Sequence, residues 1–352
     1  MIKTNAPLAL PVRRVLTGCC MTAMLGWSGS VFSQEAKIVL RVADSFPASG
    51  HYFAEPGAKY FMDAVSKATN GQVVFEHYPA EQLGKAKDLL ALTLSGVTDI
   101  GSVMPSYVSD KMPLSSVAEL PGNFSTSCEG TLAYWKTARD GVIAQKEYAP
   151  NGIRILFTLV SVPYQLLMKQ KIASIKDVEG KKMRSLGSSM DIAMRKLKAV
   201  PIRMAAPEVY ESLSRGTLDG AVLSYSAAVS YNLHTVGKSV TVGENFGSAV
   251  LTYSISEARW KKLPENVQKA MLEAGDAATR RVCALMDKNT EPDLDKVRQA
   301  GVTTVRLPAA EKKELQSLFA TVGKEWAEDL DRRGKPGSEV LKAYQDALHA
   351  VR

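Results

Sequence analysis

Apolar and polar positions along the chain change their period repeatedly. Between Lys37 and Asp44, Ile38, Leu40 and Val42 alternate with Val39, Arg41 and Ala43, which predicts a largely buried strand. From about Tyr52 the spacing turns helical. Ala58, Phe61, Met62, Val65 and Ala68 share one face, and Asn70-Gly71 closes the segment. Residues 72–78 read as a strand again, 85–95 as a helix stopping at Gly96, and 98–104 as a third strand.

The second half has the same rhythm without repeating the sequence. Residues 153–159, 163–168, 181–184, 201–204 and 221–223 read as strands, with helices from 188 and over 207–214. Residues 264–300 form one long helical pattern, with a proline at its start and Gly301 at its end. At 1.5 Å per residue that segment would reach roughly 50 Å, more than one lobe needs. Pro292 inside it marks a possible kink, because proline removes a helix hydrogen bond. Residues 302–307 read as a last strand, and helices from 309 and 338 end the chain. Strands alternating with helices predict an α/β fold with parallel or mixed sheets. A length of 352 residues exceeds what one core usually supports, so two lobes are expected.

The first stretch reads as an export leader. Lys3, Arg13 and Arg14 precede an apolar run from Val15 to about Val31, and cleavage is expected after Ser33. That run is too short and interrupted for a membrane span, and no later run approaches ~20 apolar residues. The expectation is therefore residues 1–33 as signal peptide and a soluble periplasmic product. Removing those three cations from the 44 basic residues leaves 41 against 36 acidic ones. Such a mild excess, with no basic-aromatic stripe, argues against a nucleic-acid site. Only Cys128 and Cys283 follow the leader. An oxidising compartment permits a bridge, but two distant cysteines make no framework, and the default reading is two small buried hydrophobes.

Chemistry-bearing motifs are absent. His51, His77, His234 and His349 are scattered, neither cysteine has a nearby partner, and there is no nucleophile elbow, P-loop or dinucleotide fingerprint. No cofactor and no catalysis are expected. One segment stands out: Gly180-Lys181-Lys182-Met183-Arg184-Ser185-Leu186-Gly187, where a strand ends at Arg184 and a glycine turn opens a helix. Strand carboxyl ends border the ligand crevice of α/β sheets, and a guanidinium matches a carboxylate with two parallel hydrogen bonds. An arginine merely lying at a strand end is the competing reading.

Several segments together resemble the DctP family, the extracytoplasmic binding proteins of tripartite ATP-independent periplasmic (TRAP) transporters. They are Tyr78-Pro79-Ala80-Glu81-Gln82-Leu83-Gly84, Glu119-Leu120-Pro121, Gly180 to Arg184, Glu208-Val209-Tyr210 and Gly216-Thr217-Leu218-Asp219-Gly220. The resemblance implies two α/β lobes joined by hinge strands, a long lobe-spanning helix, and a ligand clamped between the lobes. It implies lobe I as 34–160 with about 250–290, and lobe II as 161–249 with about 291–352. It implies a small organic acid as ligand, membrane permease subunits as partner, and a monomer.

Arg184 carries over as the carboxylate ligand. Asp219-Gly220 is expected to be a turn, and Tyr210 to be helix packing. Against the family's sialic-acid-binding branch, Tyr164 takes the place of a second arginine, Leu223 of an asparagine, Met104 of an acid and Ala206 of an aromatic residue. One fixed charge among these groups suits an aromatic or branched monocarboxylate better than a sugar acid. Asp44, Ser106, Tyr107, Ser224 and Tyr225 complete the candidate site as polar neighbours at other strand ends. The alternatives are a binding protein feeding a signalling receptor, using the same cleft, and a secreted enzyme on the same scaffold.

Overall fold

The computed structural model describes residues 37–352; the leader and its cleavage site lie outside them. The chain builds two sheets. The first joins β1 (Ile38–Ala43), β2 (Val73–Tyr78), β3 (Ile100–Gly101) and β4 (Ile153–Val160) with the later β10 (Val250–Ser256). Its order is β2-β1-β3-β10-β4; β1, β2 and β3 run parallel, and β10 is antiparallel to both its neighbours. The second joins β5 (Gln165–Met168), β6 (Lys182–Ser185), β7 (Val200–Arg203), β8 (Gly220–Leu223), β9 (Ser239–Thr241) and β11 (Thr303–Val305). Its order is β11-β9-β5-β8-β6-β7, with β5 antiparallel inside an otherwise parallel set. Each sheet therefore mixes directions, as expected for a two-lobed α/β fold.

The third expected strand is shorter than its pattern. Val103 N–H turns back onto Gly101 at 2.9 Å, and Pro105, lacking a donor, starts a 3-10 turn over Pro105–Val108. The ladder ends at Gly101 because the Val103 N–H is turned back into the strand's own backbone. The elements that escaped the sequence reading include β9, β10, the helix Tyr225–Ser230 and the short helix Glu257–Trp260.

Three connections link the sheets. The chain passes from β4 to β5 through residues 161–164 and returns from β9 to β10 through 242–249. These two crossings hydrogen-bond to each other: Ser161 N–H to Ala249, Tyr164 N–H to Gly247 and Phe246 N–H to Tyr164, at 2.8–3.1 Å. Gly247 has φ +110°, and a Cβ there would meet the Glu119 carbonyl at 2.6 Å, so this crossing needs glycine twice over. The third connection is the helix Glu265–Gln299, which runs through Pro292 without a break in assignment.

That helix explains its own length. Val267, Met271, Ala274, Ala278, Val282 and Met286 fall three or four apart and bury in the core beneath the first sheet. Leu294 and Val297, further along, bury in a separate cluster with Leu213, Leu218 and Val240 of the second lobe. Gly275 lets the helix lie directly on β4, since a Cβ there would sit 2.0 Å from the Leu156 carbonyl oxygen.

Cys128 and Cys283 form a disulfide between the helix Ser127–Arg139 and the long helix, which corrects the reading of two separate buried thiols. Beside it Asp287 accepts from the Ser127 and Cys128 N–H groups at 2.6 and 3.0 Å, satisfying free donors at the helix start. The C-terminal helix Gly337–Val351, grouped by sequence with the second lobe, packs on Ser127–Arg139 in the first. Lys196 and Glu325 pair at 2.5 Å, so the preceding helix also reaches the second lobe.

Candidate ligand-binding site between the lobes

Arg184 is the third residue of β6, where the strand meets the turn into the helix Ser188–Lys196. Its side chain is 3% exposed. Nε donates to the Met204 carbonyl at 3.0 Å, one terminal nitrogen to the Val222 carbonyl at 3.1 Å, and the other to the Tyr107 hydroxyl at 3.4 Å. Its guanidinium has no ion-pair partner among the described residues. Five N–H donors minus three engaged leaves two, one on each terminal nitrogen.

Tyr107 comes from the first lobe. Its hydroxyl accepts from Arg184 and also from the Ala206 N–H at 3.0 Å. Both acceptances leave the phenolic proton free to donate. Burial raises the Tyr107 pKa, with Arg184 opposing, so that proton stays on the oxygen at neutral pH. Ser230 Oγ to the Gly50 carbonyl at 2.8 Å is a further contact between the lobes beside this one.

These groups line a narrow cavity. Met104, Tyr107, Tyr164, Arg184, Ala206 and Leu223, six of the sequence candidates, come together in its wall. The other four do not. Asp44 is buried behind the cavity, accepting from the Phe46 N–H at 2.8 Å, from His77 at 3.2 Å and from the Tyr253 hydroxyl. Ser106 points to Glu119, to which its hydroxyl donates. Ser224 caps the helix Tyr225–Ser230 through the Ala227 N–H at 3.2 Å. Tyr225 donates to the Thr241 carbonyl at 2.9 Å and faces a different groove.

Phe46, His51 and Leu251 from the first lobe, and Val209, Ala227, Tyr231 and Leu233 from the second, also line the cavity and were missed. Val209 carries a signal in retrospect, since it stands inside the Glu-Val-Tyr segment. Its neighbour Tyr210 is 36% exposed, so the expectation that Tyr210 packs a helix is corrected. Asp219 accepts from the Lys182 N–H at 2.8 Å, tying the turn before β8 to β6 as expected of a structural residue.

A larger groove is lined by residues such as Asn123, Glu244 and Arg306. The smaller cavity has the features of a ligand site: a mainly apolar and aromatic wall with a few convergent polar groups. Among the described residues no helix is long and apolar enough to cross a membrane, and no group of His, Cys, Asp and Glu is arranged to hold a metal ion.

Residues 48–329 match the bacterial extracellular solute-binding protein family 7, DctP. The C4-dicarboxylate-binding periplasmic protein DctP of Rhodobacter capsulatus is 28% identical over 309 residues, 83% of this chain and 86% of that protein. A TRAP solute-binding protein of Rhodoferax ferrireducens, crystallised with copurified benzoate, superposes with a TM-score of 0.82 at 24% identity, over 89% of this chain and 98% of that one. A marine-metagenome TRAP protein specific for aromatic acids, in complex with 3-hydroxybenzoate, gives the same score and identity over 90% and 99%. These relatives are solute-binding proteins. With its matched segment covering most of the chain, this protein belongs to the DctP family of TRAP-type extracellular solute-binding proteins.

Proposed function

We propose that this protein captures a small monocarboxylate with an aromatic or similarly apolar body in the interlobe cavity, and delivers it unaltered, in the periplasm, to the membrane subunits of a TRAP transporter. The observation that carries this reading is a buried Arg184 with no carboxylate partner among the described residues and two uncommitted donors, set in a wall of mainly apolar and aromatic side chains. A buried cation without a counter-ion is costly, and a ligand carboxylate held by two parallel hydrogen bonds removes that cost. Tyr107 adds a third donor from the opposite lobe, so the same carboxylate would bridge the lobes. Among the described residues no second cation lines the cavity, which favours a monocarboxylate over a dicarboxylate even though one relative is a C4-dicarboxylate-binding protein. The benzoate and 3-hydroxybenzoate complexes of structurally similar proteins support an aromatic body.

Thermal-shift screening with carboxylic acids tests the reading. A ligand at 100 times its Kd stabilises by about 2.7 kcal/mol. Benzoate-like acids are expected to raise the melting temperature by several degrees, while succinate and sialic acid leave it unchanged. A shift produced by dicarboxylates and by no aromatic monocarboxylate would contradict it.

A further inference from the structure

His51 is a polar side chain in this cavity that the carboxylate does not use. It lies on the loop after β1, is 8% exposed, and stands in the wall with Phe46 and Tyr231. Its ring stacks on Phe46 with centroids 4.3 Å apart and planes 9° apart, and meets Tyr231 edge to face at 6.1 Å. Two aromatic neighbours therefore fix the plane of the imidazole. Its Nδ1 is fully buried and has no hydrogen-bond partner among the described residues. A buried, oriented and unsatisfied polar atom beside a ligand cavity is an expensive feature unless the ligand completes it.

We propose that the ligand of this site bears a second hydrogen-bonding group, a hydroxyl or carbonyl on its apolar body, and that His51 is the specificity-determining residue that reads it. This deepens the monocarboxylate reading and rests on it. Arg184 and Tyr107 take the carboxylate, and Met104, Leu223 and Val209 contact the apolar body. Burial pushes the His51 pKa down to about 4, with Asp44 opposing, so the ring is neutral above that pH. A neutral imidazole offers one donor and one acceptor; a hydroxyl can pair with either, whereas a carbonyl can only accept from the N–H. A site built to hydrogen-bond a hydroxyl discriminates strongly against the analogue that lacks it, because its own polar group is then left unpaired.

Calorimetric titration of benzoate, the three monohydroxybenzoates and mandelate into wild type, His51→Phe and His51→Gln tests this. Phenylalanine preserves the stack on Phe46, and glutamine preserves hydrogen bonding. At least one hydroxylated acid is expected to bind wild type ten times or more tighter than benzoate. In His51→Phe the preference over benzoate collapses to below threefold, whatever the change in benzoate affinity itself; His51→Gln keeps part of the preference. Benzoate binding wild type as tightly as every hydroxylated acid would overturn the subsite alone. So would a His51→Phe variant that loses all the acids in equal measure, since His51 would then be packing only. If wild type binds none of the acids, the monocarboxylate reading falls with the subsite.

Discussion

Glu119 shows how single residues behind the cavity wall carry measurable consequences. It is buried at the junction of the lobes, accepting from Ser106 Oγ and from the Val250 N–H at 3.1 Å, while Oε2 has no partner among the described residues. Burial raises its pKa to about 7, against the pull of those hydrogen bonds and of Arg184. A carboxyl whose folded pKa exceeds its unfolded value binds more protons in the native state. Its stabilising contribution is therefore complete below about pH 4.5 and is lost as the pH rises towards 7. Glu119→Gln removes that dependence. Urea titrations of both proteins between pH 4.5 and 7.5 should find the variant gaining on wild type as pH rises; a constant difference would mean that Glu119 ionises normally.

The same scale explains which site residues were legible. Arg184 was visible because a strand end, a glycine turn and a cation coincide in Gly180 to Gly187. Leu223 faces the cavity, whereas Ser224, one residue on, caps a helix; Tyr107 faces it and Ser106 turns away. Adjacent side chains at a strand end or in a tight turn diverge, so placing a segment at the cleft leaves open which member points in. His51 and Tyr231 stand at neither a strand end nor a motif, and only tertiary structure brings them to the cavity.

Among the elements, the long helix does more than span. It buries Val267 to Met286 in one core and Leu294 and Val297 in another, and it holds the start of the helix Ser127–Arg139 through Asp287 and the disulfide. Its length was legible from periodicity. The disulfide was not, because its cysteines lie 155 residues apart and nothing local pairs them. Closing so long a loop limits the unfolded chain, and removal of such a bridge costs about 2–4 kcal/mol. The Cys128→Ala, Cys283→Ala double variant should unfold at lower urea by that amount. Its ligand affinity should stay within about threefold of wild type, because neither cysteine lines the cavity. Equal stability with and without the bridge would show that the Asp287 cap and helix packing suffice.

At the scale of the whole molecule, the duplicated strand–helix rhythm announced two lobes, but not how the C-terminal helices tie them together. Residues 337–351 lie on the first lobe while Glu325 pairs with Lys196 of the second, contacts between segments far apart in sequence that local pattern does not encode. Two hydrogen-bonded crossings and one helix leave few routes between rigid bodies, and the cavity sits where those bodies meet. Arg184 from one lobe and Tyr107 from the other converge there, so a carboxylate bound as proposed would join the lobes as well as fill the cavity. Calorimetric titration of an aromatic monocarboxylate into wild type and Arg184→Ala tests that claim most directly. Truncating one partner of a buried charge pair costs roughly 2–5 kcal/mol. The expected loss in affinity is therefore about thirtyfold to several-thousandfold at 1.4 kcal/mol per factor of ten. A folded Arg184→Ala protein that binds the acid within about threefold of wild type (under roughly 0.7 kcal/mol) would contradict the account, leaving Arg184 as a strand-end arginine and the ligand elsewhere.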